Sequence, residues 1–230
     1  MSSSAAFPDF LPDLFGPELQ RHRRALFDHP LWVATENGQA SVAQLQTFAF
    51  QDAWLVKHSR QLEALLVAHA PDEEARATLL TKQQPKAVFA AQGDIRHFGE
   101  GLGLRASDFD DVAPLPGCAA LTTQFYYSLA RYGFLGLLTS LCLSENIFIA
   151  VCMRLTPALK RHYGLTDAQV AFFPLHERLE EGVNVGEAGL LRRLCVTPEA
   201  REVARRVAAQ TYAAEGLFYD TVYAAGSHGA

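Results

Sequence analysis

Residues 134–151 read FLGLLTSLCLSENIFIAV, and this apolar stretch decides the fold class. A stretch of this length suits either a membrane-spanning helix or the central helix of a helical bundle. Glu145 lies inside it, and a charged side chain is costly at the centre of a bilayer. We therefore predict a buried core helix, with no membrane partner, within a longer helical region from Ala119 to Tyr163. Pro157 is expected to kink or split that region.

The flanking sequence has the same helical character. Apolar residues recur at the spacing of a helix along the segment after Ser41, and Ser41 with Gln44 forms the pattern of a capping box. Thr166 is a candidate N-cap for a helix over 167–181, and Pro198 suits the first position of the last helix. Because no segment shows the alternation of a strand, the sequence predicts an all-α bundle of about seven to eight helices.

The chain has 230 residues, which is enough for one large domain and short for two. Prolines among apolar residues predict an irregular N-terminal arm over 1–17. The helical patterns place a single domain over 18–225, followed by a disordered tail over 226–230. Hydrophobic residues make up 49% of the chain, which excludes disorder for most of it.

Charge and cysteine content limit the partners and the compartment. The net charge is -5 and no stretch is dense in Lys or Arg, so nucleic acid is not an expected partner. The 4 cysteines form no CxxC pair, which is typical of free thiols in a reducing compartment. The first residues lack the charged and apolar segments of a signal peptide. We expect a cytoplasmic protein.

Charged residues on apolar helix faces are the candidates for function, because a buried carboxylate is costly unless it is paired or bound to metal. Glu145 is one such residue. His176 and Glu180 share one helix face, as a metal-binding pair does, and Asp94 with His97 forms a second pair of this kind. Each has a structural alternative. Glu145 can be a packing carboxylate held by an Arg or Tyr, and each pair can lie on a solvated face.

Two further acids are surrounded by aromatic residues. Asp52 lies beside Trp54 in a long helix, and Glu215 lies near Tyr219 in the last one. An acid among aromatic side chains suits a cationic or amine-bearing heterocycle. The same pattern also fits surface acids next to core aromatics. We predict substrate contacts for Asp52 and for four aromatic residues, which are Trp54, Tyr126, Tyr127 and Tyr219.

Several short motifs resemble the TenA/PqqC superfamily. They extend over residues 20–223 and include the segments 48–55, 70–72, 94–97, 141–145, 162–165 and 172–176. Glu215 and Tyr219 resemble the closing helix of TenA proteins. The resemblance implies a haem-oxygenase-like helical bundle that acts on a small-molecule substrate and, as in many relatives, a homo-oligomer.

The motifs are closest to the haem-oxygenase-like di-iron oxidase branch of that superfamily. There the central helix carries a Glu ligand, matched by Glu145, and the next helix carries a motif of His, Asp and His. His176 matches the first position and Glu180 replaces the Asp, whereas Val183 stands where the last His is expected. The resemblance implies an iron site, holding two irons, one or none, with the ligands Asp94, His97, Glu145, His176 and Glu180.

The resemblance implies three functions. The leading one is a non-haem iron oxidase or oxygenase acting on a small molecule, with Glu145 and Glu215 as candidate catalytic carboxylates. The first alternative is a TenA-type hydrolase of aminopyrimidines from thiamin breakdown, in which Asp52 and Glu215 bind the ring and a Cys attacks it. Since the family's nucleophile position holds no Cys here, Cys142 and Cys152 are the nearby candidates. The second alternative is a metal-free PqqC-like enzyme or a non-catalytic binding protein.

Overall fold

The computed structural model describes residues 7–82, 95–179 and 185–225. Within these ranges the chain forms nine α-helices and no strand, which confirms the all-α prediction. The helices are α1 (Pro17–Phe27), α2 (Pro30–Glu36), α3 (Val42–Ala68), α4 (Glu73–Lys82), α5 (95–101), α6 (Pro116–Tyr163), α7 (Phe172–Leu179), α8 (Val185–Leu194) and α9 (Pro198–Ala225). A short 3-10 helix, Ala106–Phe109, lies between α5 and α6.

The structure has more helices than the seven to eight that the sequence predicts, because some helix boundaries, such as the start of α2, are ambiguous in the sequence. Pro30 lies three residues after the end of α1 and occupies the first turn of α2, where its missing N–H is not needed. The His29 side chain caps α2 by accepting from the backbone N–H of Leu31. The predicted capping box of Ser41 and Gln44 at the start of α3 is confirmed.

The central helix α6 breaks at Gly133, not at Pro157 as predicted. Gly133 has φ 65° and ψ -151°, a conformation that side-chain-bearing residues rarely adopt. Pro157 lies inside the continuing helix. The break divides α6 into segments 116–132 and 134–163, and both contribute side chains to the same internal cavity. The bend of α6 is therefore set by Gly133 and not by Pro157.

α6 is the core helix of the bundle. It packs most extensively against α9, and also against α7 and α3. By length and composition α6 could cross a membrane, but 61% of its most apolar window is buried inside the bundle. The apolar stretch 134–151 thus lies at the centre of the helical bundle. Cys142, Cys152 and Leu155 are among the side chains it buries.

The seventh helix begins later than the sequence predicts. Residues 167–170 form turns, in which Thr166 and Gln169 bond to each other, and α7 starts only at Phe172. Pro174 lies in the first turn of α7, where a proline is tolerated. The irregular segment before α1 packs its Leu11, Leu14 and Phe15 into the core. The predicted tail at 226–230 lies outside the described residues.

Candidate active site

A cavity of about 190 Å³ lies between α3, α6, α7 and α9. Its wall contains the apolar residues Leu55, Val56, Leu62, Leu121, Phe125, Leu141, Phe148 and Phe218. Its polar residues, apart from Thr122, form three groups. We call Asp52, Ser144 and Glu215 the acidic end, Glu145 and His176 the side wall, and His58, Ser59 and Glu63 the rim.

The direction of α3 separates the acidic end from the rim. Asp52 is 6% exposed and Glu215 is 3% exposed, whereas His58, Ser59 and Glu63 are half-buried. With a rise of ~1.5 Å per residue, the helix carries the wall about 16 Å from Asp52 to Glu63. The spacing of Asp52, Ser59 and Glu63 keeps all three on one face of α3. The cavity is therefore elongated, with its closed end at the buried acids.

The acidic end holds two carboxyl groups that burial makes difficult to ionise. Burial, together with the neighbouring Glu215, raises the pKa of Asp52 to about 8. Burial also raises the pKa of Glu215 to about 7, although the Ser144 hydroxyl opposes this rise by donating to Glu215 Oε2 over 2.7 Å. Near neutral pH at least one of these carboxyl groups therefore keeps its proton.

One polar atom at the acidic end stands out for its lack of a hydrogen bond. Asp52 Oδ2 is buried and has no partner among the described residues, whereas the Tyr219 hydroxyl interacts with the Glu215 carboxyl group. Burial and the nearby Glu215 carboxyl raise the pKa of Tyr219 well above its usual value, so this hydroxyl stays protonated. A buried polar atom without a partner is costly, and a ligand that supplies the partner would recover that cost.

The thiols do not reach the cavity. All 4 cysteines are buried and free, and none is among the described residues that line the cavity wall. Burial and the nearby Asp52 raise the pKa of Cys118 to about 12, which leaves this thiol a poor nucleophile. Cys142 and Cys152, the predicted nucleophile candidates, lie in the core. Ser144 is the nucleophile-type side chain that α6 presents to the acidic end.

The predicted metal ligands are only partly brought together. Glu145 and His176 both line the side wall. His97 is exposed and does not line the cavity, while Asp94 and Glu180 lie outside the described residues, as does Val183. Over the described ranges, no three His, Cys, Asp or Glu side chains cluster closely enough to hold a metal ion. The described residues therefore do not fit a complete iron site, which needs at least three protein ligands.

His176 is nevertheless oriented as a ligand would be. Its Nδ1 is 2.8 Å from the carbonyl oxygen of Phe172, and a carbonyl can only accept, so Nδ1 bears the proton. The lone pair of the neutral ring is then on Nε2. The rings of Phe148 and Phe172 pack against His176 edge-on and fix its plane. This arrangement, with Nδ1 bound to the backbone, is common among histidines that bind metal through Nε2.

The predicted aromatic contacts have other positions than expected. Trp54 and Tyr126 do not line the cavity; they pack against His58, which does. Tyr127 is 44% exposed and packs against Tyr132. Tyr219 is buried next to Glu215 at the acidic end.

Sequence analysis missed His58 and Ser144. His58 follows Trp54 by four residues, a spacing that places the two side chains together on α3. Ser144 directly precedes Glu145 in the core helix. Neither residue is a carboxylate, so the criterion of an acid among apolar residues did not select them.

Fold and cavity together define a haem-oxygenase-like helical domain with an acidic cavity. A structure from Shewanella denitrificans, described as a domain of unknown function with a heme oxygenase-like fold, matches with TM-score 0.79 and 16% identity, covering 95% of this chain and 94% of that one. A TenA homologue from Pseudomonas syringae matches with TM-score 0.76 and 11% identity, covering 96% and 95%. A protein described as a TenA family transcription regulator from Silicibacter matches with TM-score 0.73 and 17% identity, covering 91% and 93%.

The family follows from the sequence profile. The TENA/THI-4/PQQC family matches residues 17–162, which is more than half of the chain, and the protein therefore belongs to this family. The resemblance read from the sequence motifs is thereby confirmed. No curated protein matches the sequence. The structural matches have low identity, so they support the fold and not a particular activity.

Proposed function

We propose that this protein is a small-molecule enzyme of the TenA type that binds an amine-bearing nitrogen heterocycle at the acidic end and hydrolyses a C–N bond of it. The observation that carries the proposal is the pair Asp52 and Glu215, which are buried together at one end of the cavity. Four carboxyl groups line the cavity, and the described part of its wall contains no Lys or Arg. Such a wall favours cations and hydrogen-bond donors, and it disfavours carboxylate substrates.

Asp52 has the hydrogen-bonding capacity that an aminopyrimidine needs. With its pKa raised to about 8, it carries a proton at neutral pH. A protonated carboxyl group offers one O–H donor and one carbonyl acceptor. The edge of an aminopyrimidine offers the matching pair, a ring nitrogen that accepts and an amino group that donates. This pairing would give the unpartnered Asp52 Oδ2 its hydrogen bond.

Glu215 is suited to acid–base work because its pKa is raised to about 7, near the working pH. As a base it takes a proton from an attacking water molecule while the new C–O bond forms. As an acid it gives a proton to the leaving nitrogen when the C–N bond breaks, so the balance is that of a hydrolysis. Ser144 holds the carboxylate in place through its 2.7 Å hydrogen bond.

The test is binding and turnover of an aminopyrimidine with an aminomethyl arm. Calorimetry should detect binding to the parent protein, and release of ammonia should report hydrolysis. Asp52→Leu should weaken binding of this probe by about 10-fold or more, since the donor and the acceptor are both lost, whereas Asp52→Asn keeps one donor and one acceptor and should retain most of the affinity. The matched pyrimidine that lacks the amino group on the ring should bind weakly to the parent protein and to Asp52→Leu. Equal binding of the two pyrimidines to the parent protein would refute the proposal.

A non-haem iron oxidase is the second candidate, and one observation favours it: Glu145 and His176 share the side wall, and His176 has the proton on Nδ1. Iron, when bound, would supply oxygen activation. The test is elemental analysis of protein purified with iron available, beside Glu145→Ala and His176→Ala. Stoichiometric iron that both variants lose would support the oxidase, and iron retained by both would reject this ligand pair.

A further inference from the structure

The rim of the cavity contains a histidine whose ring is fixed by its neighbours. The rings of His58 and Trp54 are tilted, with centroids 4.7 Å apart, and Tyr126 meets His58 edge-on at 6.2 Å. His58 Nδ1 is 3.3 Å from the Tyr126 hydroxyl, and that hydroxyl lies 3.0 Å from Gln61 Oε1. The side chains of Trp54, Tyr126 and Gln61 thus position the imidazole of His58 at the rim of the cavity.

The hydrogen bonds fix the tautomer of His58. The Tyr126 hydroxyl has one proton, and it donates this proton to Gln61 Oε1. It must then accept from His58, so the imidazole proton is on Nδ1 and the lone pair is on Nε2. Partial burial and the nearby Lys57 lower the pKa of His58, which keeps the ring neutral at pH 7. No described residue binds Nε2, so this nitrogen remains available as an acceptor.

We propose that His58 is a specificity-determining residue, whose Nε2 accepts a hydrogen bond from a donor group at the outer end of the substrate. This inference rests on the proposed function, because it takes the heterocycle to lie at the acidic end. Trp54, Tyr126 and Gln61 are positioning residues that act through His58. Two of the aromatic residues that the sequence places in the substrate site therefore contribute indirectly.

The geometry limits the size of the substrate. Six residues of α3 separate Asp52 from His58, which corresponds to about 9 Å along the helix axis. The wall between them is apolar, with Leu55 and Val56. A single pyrimidine ring does not extend over that length when it is seated on Asp52. The substrate class is therefore an amine-bearing heterocycle with an arm that crosses the apolar section and ends in a hydroxyl or N–H group.

The experiment compares two probes with the same aminopyrimidine ring and the same chain, one ending in a hydroxyl group and the other in the methyl ether of that hydroxyl. The chain length is varied so that one member of the series reaches the rim. The parent protein should bind the best hydroxyl probe about 5-fold more tightly than its ether, the value expected for one neutral hydrogen bond. His58→Ala should remove this preference and leave the affinity for the ether nearly unchanged.

Further variants separate a specific contact from a structural role. His58→Gln keeps an acceptor and should retain part of the preference. Tyr126→Phe should reduce it, because Nδ1 loses its partner. Tyr127→Phe is the matched control and should leave it unchanged, since Tyr127 faces outward.

The outcomes of this experiment are distinguishable. A preference for the hydroxyl probe that survives His58→Ala would overturn the role of His58 and leave the proposed function intact. Equal binding of the hydroxyl and ether probes at every chain length would also overturn the role of His58 and leave the proposed function intact. Failure of every aminopyrimidine probe to bind would overturn the proposed function, and the inference about His58 with it.

Discussion

The acidic end and the rim of the cavity both include residues of α3, but their polar side chains differ in how well the fold satisfies them. At the acidic end, Asp52 and Glu215 are buried, the hydroxyl groups of Ser144 and Tyr219 interact with Glu215, and Asp52 Oδ2 has no partner among the described residues. At the rim, the tyrosine and tryptophan neighbours of His58 fix its ring, and its Nδ1 is bonded.

This difference indicates two kinds of contribution to binding. A ligand at the acidic end relieves buried groups that the fold leaves unsatisfied, so large effects are expected there. A ligand at the rim adds one hydrogen bond to a side chain that is already held in place, so modest effects are expected. Variants at the two ends test whether this contrast is real.

The largest effect should follow from removing the acid–base group. Glu215→Gln should lower turnover of the aminomethyl aminopyrimidine by about 100-fold or more, because a positioned acid–base group contributes on the order of 100- to 10,000-fold. Glu63→Gln makes the same chemical change at the rim and should lower turnover less than about 10-fold. Steady-state ammonia release from both variants measures the ratio. Similar losses in the two variants would remove the distinction between the two ends.

The second effect concerns stability and pH. Asp52 has a folded pKa of about 8, raised from an ordinary value of 3.8, so the folded state binds a proton that the unfolded chain releases. The free energy of unfolding should therefore fall as pH rises from about 4 towards 8. Asp52→Asn cannot ionise and should be more stable than the parent at pH 8, by an amount on the order of a few kcal/mol.

Urea denaturation of Asp52→Asn and the parent at pH 5 and pH 8 checks this result. Glu100→Gln, a change at an exposed acid, is the control and should show the pH dependence of the parent. If Asp52→Asn were no more stable relative to the parent at pH 8 than at pH 5, ionisation of Asp52 would cost the folded state nothing. The acidic end would then not differ from the rim.

The sequence predicted the fold well, and it selected Asp52 and Glu215, which the structure places together in the wall of the cavity. Helical periodicity and caps are local, so α3 and α9 follow from their own residues. Asp52 and Glu215 stand out because an acid among apolar and aromatic residues interrupts the apolar pattern of its helix. The break at Gly133 was missed because the sequence alone does not show which glycine adopts a positive φ.

The parts that failed depend on tertiary placement. The pattern of Asp94 and His97 predicts one shared face, but it does not show which way that face points, and His97 is exposed. Tyr126 and Tyr127 are neighbours in sequence, yet only Tyr126 meets His58. The rim could not be found from α3 alone, because its hydrogen bonds join residues on two helices.

A third, smaller effect should come from Ser144. Its hydroxyl opposes the rise of the Glu215 pKa, so Ser144→Ala should move that pKa above about 7. The limb of the pH–rate profile that depends on Glu215 should shift to higher pH, and turnover at pH 7 should fall by about 10-fold, the effect of one hydrogen bond to a charged group. A complete loss of turnover at every pH would instead make Ser144 the nucleophile. Ser59→Ala, at the rim, is the matched control and should leave the profile in place.

The smallest effect should be the stability change in Tyr126→Phe. Its hydroxyl bonds to His58 and Gln61 at a solvent-accessible rim, where water can replace a lost partner, so the free energy of unfolding should fall by less than about 1 kcal/mol. Tyr127→Phe should have a similarly small effect, and urea denaturation measures both. A loss above about 2 kcal/mol in Tyr126→Phe alone would show that the rim helps to hold α3 against α6. Weakened binding of the hydroxyl probe by Tyr126→Phe would then no longer report on His58. If the free energy of unfolding falls only slightly, any change in preference for the hydroxyl probe is due to the orientation of the imidazole.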